Sequence, residues 1–147
     1  MPPLELQINH STLIHADPSR IYNALATSEG LNSWFTTSSK VNAIPGGEIV
    51  FHWEDWGPDH ITVDDRGVVL EAIPENRFVF QWHPDSPAYA TTVELQIEPA
   101  EDGTIVRLRE HGYSDTESAF VAMLNCATGW GEALTLLKFY LELGAHY

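Results

Sequence analysis

The chain has 147 residues, 44% of them hydrophobic, which suits one domain with a proper core. Its 21 Asp and Glu against 7 Lys and Arg leave a net charge of −14, so phosphate backbones and anionic lipid faces are repelled and neither nucleic acid nor a membrane is expected as a partner. A single cysteine, Cys126, excludes an intramolecular disulfide and a Cys-based zinc cage, and purely apolar runs of only a few residues argue against a bilayer span.

The opening MPPLELQINH has no basic head and no apolar stretch behind it, which argues against a secretory signal and leaves the cytoplasm as the expected location. Residues 4–15 alternate as a first strand, with Leu4, Leu6 and Ile8 on one side. Asp17 and Pro18 supply a cap and a first helical position, followed by the apolar stripe Ile21, Ala24 and Leu25. Ser28 is placed to cap a second short helix carrying Leu31, Trp34 and Phe35.

From residue 36 the pattern becomes strand-like. Turns are expected at Pro45-Gly46-Gly47, at Asp64-Asp65-Arg66-Gly67 and at Pro74-Glu75-Asn76. Between and after them lie GEIVFHWED, GVVLEAI and RFVFQWH, the last with Phe78, Phe80 and Trp82 alternating. TTVELQIE, the turn Glu101-Asp102-Gly103 and TIVRLREHGY form a hairpin in which Val93, Leu95 and Ile97 face Val106 and Leu108.

Residues 115–143 form the strongest helix pattern. Phe120, Met123 or Leu124, Ala127, Trp130, Leu134, Leu137 and Leu141 recur at three and four residues, and Val121, Leu136, Phe139 and Tyr140 widen the apolar face. So wide a face suits a helix gripped by a curved sheet. Gly129 and Gly131, each costing about 1 kcal/mol relative to Ala, predict a close backbone approach or a bend beside Trp130.

The order strand, two short helices, about six antiparallel strands and a long helix defines an α+β, helix-grip (START-like) layout. The residues that carry a family resemblance run from Ala16 to Leu25 and continue through Gly30-Leu31 with Trp34 and the Gly46-Gly47 turn. They go on through Gly67–Pro74, Phe78–Trp82, Gly103-Thr104, Arg109–Tyr113 and Gly129-Trp130. On these pieces, which span nearly the whole chain, the sequence resembles the branch of the START-like (SRPBCC) superfamily named after the activator of the heat-shock-protein-90 ATPase. That resemblance implies the helix-grip fold. It implies no single function, because the fold serves lipid carriers, hormone receptors, cyclases, hydroxylase domains and co-chaperones.

Trp34, Trp53, Trp56, Trp82 and Trp130, with Phe51, Phe78, Phe80, Tyr89 and Tyr113, suit either a packed core or an aromatic-lined ligand cavity. The candidate ligand-binding set is Trp53, Phe80, Trp82, Leu95, Leu108, Glu110, Met123, Ala127 and Trp130. Glu110 shares the parity of Val106 and Leu108 and is aimed inward, as a polar handle for ligand, a general acid or base, or a structural hydrogen-bond acceptor. His52, Glu54 and His60 surround a WEDW loop and could be imagined as a two-histidine, one-carboxylate set, but without a tight ligand pair no metal is expected. No nucleophile elbow, Walker loop or dinucleotide fingerprint is present, so neither a catalytic residue nor a cofactor is assigned. Cys126 reads as an inert buried thiol, His83 as a strand-end surface residue, and Arg107, Arg109 and His111 as the outer face of the last strand. Three functions remain open: binding a small apolar or amphipathic molecule, contacting a chaperone, or acting on a hydrophobic substrate through Glu110 and a nearby His. Self-association through exposed aromatic or edge-strand surface stays open, and the sequence does not fix the oligomeric state.

Overall fold

The computed structural model describes residues 6–145; Leu4, assigned above to the first strand, lies outside them. In chain order the elements are β1 (Ile8–Ile14), α1 (Pro18–Ala26), α2 (Ser28–Trp34), β2 (Ser38–Val41), β3 (Glu48–Trp56), β4 (Ile61–Ile73), β5 (Arg77–Trp82), β6 (Thr91–Ala100), β7 (Gly103–His111) and α3 (Glu117–Leu143). The strands form one antiparallel sheet in the order β1-β7-β6-β5-β4-β3-β2. This is the expected helix-grip fold: β1, the two short helices, six further strands and the long helix. The strand that no pattern marked is β2, whose sequence SSKV is too short and too polar to show a period.

Local chemistry sets the helix ends. Asp17 Oδ1 accepts from Arg20 N at 2.9 Å and caps α1, with Pro18 at its first position. The cap of α2 is Thr27, one residue before the expected Ser28, and its Oγ1 accepts from Gly30 N at 2.9 Å. Thr116 caps α3, and Gly144 at φ 69° closes it.

One expectation about the middle of the sheet needs correction. The segment Asp64–Gly67 is not a turn; β4 runs straight through it, and the β3–β4 connection is Gly57–His60. Gly67 is needed for close packing instead of for turning: a Cβ there would sit 1.5 Å from the Gln81 carbonyl oxygen on β5. Bulges between Trp53 and Trp56 and between Val69 and Glu71 interrupt the ladders, and bulges bend strands and increase their twist.

The buried face of α3 is Ala119, Met123, Trp130, Ala133, Leu134, Leu137 and Leu141. Its second half follows the expected stripe and its first half does not. Phe120, Leu124 and Ala127 are exposed, because Ala119 and Met123 satisfy the same three-and-four spacing one position away. Of the close approach or bend expected at Gly129 and Gly131, close approach is not found: a Cβ on either would meet nothing within 4 Å. An 18-residue window of this helix reaches a mean hydropathy of 1.2, long and apolar enough by composition to cross a membrane. The expectation from apolar run length is therefore corrected: small polar residues such as Asn125 and Thr128 break runs while leaving the average high. Here the helix packs against β1, α1 and α2.

Candidate functional site

Strand alternation delivers the site. Phe51 and Trp53 on β3, Phe78, Phe80 and Trp82 on β5, and Val106, Leu108 and Glu110 on β7 all point to the side covered by α3 and are buried. Outer-face polar residues pair with one another: Arg77, Arg109 and His111 converge on Glu94, and Arg107 donates to Glu98.

Glu110 is completely buried. Its Oε2 accepts hydrogen bonds from Trp82 Nε1 and Thr91 Oγ1, each at 2.7 Å, and its Oε1 accepts from Trp130 Nε1 at 2.9 Å. A buried carboxylate is tolerable only when such donors replace water. Among the described residues no cation pairs with it. Beside it the Tyr113 hydroxyl is buried near Cys126 and Glu110; burial, then the negative charge of Glu110, push its pKa upward. The same two causes push the Cys126 thiol up to about 12. A thiol so placed stays protonated at neutral pH and is a poor nucleophile, as the sequence reading expected, although Cys126 is only half-buried.

The rings form a closed circuit. Centroid separations are 5.1 Å for Phe35–Trp53, 5.6 Å for Trp53–Phe51, 5.4 Å for Phe51–Trp82, 5.4 Å for Trp82–Trp130 and 5.7 Å for Trp130–Phe35. Edge-on, tilted and stacked contacts alternate around it. Every indole N–H in this circuit is engaged by protein: Trp82 and Trp130 by Glu110, and Trp53 by the Phe35 carbonyl at 2.7 Å.

Above four of these rings (Phe35, Trp53, Trp82 and Trp130) opens a cavity of about 530 Å³, walled by Trp56, Ile61 and Val63 on the β3–β4 hairpin and by Val121, Ala122, Cys126 and Gly129 on α3. A second depression, of about 500 Å³, lies on the other side of Phe35 and Trp56 and is lined with polar groups including Asn32, Thr36, Thr37, Glu54 and Asp55. Between the circuit and the rest of the core, Leu31, Phe80, Leu95 and Leu134 enclose a void of only about 10 Å³.

The sequence candidates are thus divided. Trp53, Trp82 and Trp130 form the cavity floor. Glu110 sits behind two of them rather than on the wall. Phe80 and Leu95 face the small void, Leu108 and Met123 are buried in the core, and Ala127 is exposed away from the cavity. Phe35, Trp56, Ile61, Val63, Val121, Ala122 and Gly129 were not among the candidates. Ile61 and Val63 carried a legible signal, being alternate apolar residues just after a Gly-Pro turn. His52 pairs with Asp64 and His60 with Asp55, so the imagined metal set is not brought together; among the described residues no three His, Cys, Asp or Glu side chains group as a metal site.

A family model described as activator of Hsp90 ATPase homolog 1-like protein matches residues 15–142. No curated protein sequence matches the chain. Among solved structures it is similar to the Aha1 dimer from Colwellia psychrerythraea, at 30% identity over 95% of this chain and 98% of that one, with a TM-score of 0.77. A Rhodobacter sphaeroides protein is 25% identical over 96% of this chain and 95% of that one, with a TM-score of 0.78. The AHSA1-like protein from Aeromonas hydrophila, 20% identical over 95% of this chain and 94% of that one with a TM-score of 0.76, shares the fold. With that coverage, and with the helix-grip architecture in place, the chain belongs to the activator of Hsp90 ATPase homolog 1-like family.

Proposed function

We propose that the protein binds a small apolar or amphipathic molecule in the cavity between the β3–β4 hairpin and the first half of α3. The observation that carries this reading is an aromatic-floored space of about 530 Å³ beside an otherwise filled interior. A space of that size lies in the range of small-molecule sites, and its apolar wall would be costly to keep facing water without an occupant. Native mass spectrometry of the purified protein, with displacement of an environment-sensitive dye, tests it. Uptake of one small molecule per chain, lost when Gly129→Phe fills the cavity, is the expected result; no uptake in either assay contradicts the reading.

A second reading concerns protein contact. Phe120, Val121 and Leu124 are 45%, 52% and 53% exposed along the first half of α3. The Colwellia relative is described as a dimer, and we propose that this stripe meets a second copy of the chain. Sedimentation equilibrium should show a dimer that Leu124→Glu converts to monomer, and a monomeric wild type would remove the proposal. A chaperone partner, implied by the family's name, would use the same stripe and would appear as a change in the chaperone's ATPase rate.

A further inference from the structure

The electrostatics of the cavity discriminate among amphipathic molecules. None of its lining residues is Lys, Arg or His, whereas Asp85 and Glu132 stand in its wall. The chain as a whole carries −14. A third carboxylate, Glu110, lies buried directly behind the floor with hydrogen-bond donors but, among the described residues, no cationic partner. Fatty carboxylates and other anions would enter against this field, and a cation would enter with it.

The floor itself points the same way. All the circuit's indole N–H groups are consumed by protein acceptors, so the rings offer a ligand no donor, only π-face and C–H edge. Donation from Trp82 and Trp130 to the Glu110 carboxylate also makes their indoles more electron-rich. Electron-rich indole in a partly desolvated cavity is the best aromatic partner for a cation.

We infer that the occupant is a hydrophobic organic cation: an ammonium group set over the Trp82–Trp130 floor, carried on an apolar body that packs along Trp56, Ile61, Val63 and Val121. This rests on the cavity being a ligand site, and it adds the sign of the ligand's charge. Cation–π attraction then selects the head group, while the hairpin and helix walls select the tail.

Isothermal titration with three probes of equal chain length (decyltrimethylammonium, decanol and decanoate, each below its micellar concentration) separates the two levels of the claim. At 0.15 M salt the ammonium should bind about tenfold or more tightly than the alcohol, and the carboxylate most weakly. The preference should persist at 0.5 M salt, where diffuse attraction to an acidic surface is screened. Val121→Lys, at a half-exposed wall position, should abolish ammonium binding and bring decanoate to or above decanol. If alcohol or carboxylate binds wild type as well as the ammonium, or if the preference vanishes at 0.5 M salt, the cation inference falls and the cavity reading stands. Ammonium binding unchanged in Val121→Lys places the cation outside the cavity and overturns the inference. If none of the three binds, both fall.

Discussion

Under its second half, α3 buries Ala133, Leu134, Leu137 and Leu141; the void beside Leu134 is only about 10 Å³, and a larger depression at that end, about 370 Å³ beside Tyr140 and Leu141, is lined mainly by polar residues of α1 and α2. Under its first half, the same helix stands over a cavity of about 530 Å³. The sheet and helix are shared, so the difference comes from what presses on each half. The helix packs on β1, α1 and α2, whereas residues 118–129 face the β3–β4 hairpin, which bulges after Trp53 and carries its apolar side chains Ile61 and Val63 half-exposed. Trp130 marks the boundary, held by Glu110. Completeness of packing is therefore a regional property here, and the incompletely packed region is the one floored with tryptophan.

The largest expected effect is on the filled side. Leu134→Ala removes a fully buried side chain from a close-packed region and should cost about 2–5 kcal/mol by urea denaturation. The matching truncation on the cavity side, Val121→Ala, should cost about 0.5 kcal/mol or less. Equal costs would erase the distinction between the halves.

At the boundary, Glu110→Gln replaces one acceptor oxygen with a donor and leaves at least one of Trp82, Trp130 and Thr91 unsatisfied. It should cost about 1–3 kcal/mol and displace the Trp82 and Trp130 indole proton resonances. An unchanged stability would show that Glu110 does not hold the floor.

A smaller effect of opposite sign is expected at Gly129, where a Cβ meets nothing. Gly129→Ala should stabilise the protein by about 1 kcal/mol or less, because alanine is the better helix former. Destabilisation would mean that this stretch of helix is more tightly packed than its open surroundings imply.

Glu94, remote from both halves, supplies the control. Burial pushes its pKa upward, but hydrogen bonds from Arg109, Arg77 and His111 outweigh burial and hold it below its ordinary 4.5. A lowered folded pKa gives stability that is present above 4.5 and lost as pH falls through the folded value. Wild type should therefore exceed Glu94→Gln in denaturation midpoint at pH 7, and the two should converge in acid. A gap that persists at low pH would assign the difference to shape rather than charge.

Strand parity was fully legible, because a period of two assigns Phe78, Phe80, Trp82, Val106, Leu108 and Glu110 to one face without tertiary information. The helix was legible only in part. Ala119 and Phe120 both fit the three-and-four rule, and the choice between them is made by contacts with distant strands. The β3–β4 turn was misplaced because Asp64–Gly67 has turn composition, while its glycine serves close approach to Gln81. Trp53, Trp82 and Trp130 were named as site residues, and the alternation of Ile61 and Val63 was legible, but the open space between them depends on the bulge after Trp53 and on tertiary packing that no local pattern encodes. Glu110 was found by parity, and its place behind the wall followed only from the two indoles that donate to it.

The most direct test is the indole region of a ¹H–¹⁵N correlation spectrum, in which each of the five tryptophans gives one cross-peak. On titration with decyltrimethylammonium or decanol, the peaks of Trp53, Trp56, Trp82 and Trp130 should move. Trp34, whose Nε1 donates to the Ala24 carbonyl at 2.8 Å and which does not line the cavity, should hold its position. Equal movement of all five, or movement of Trp34 alone, would place the ligand elsewhere and contradict the account.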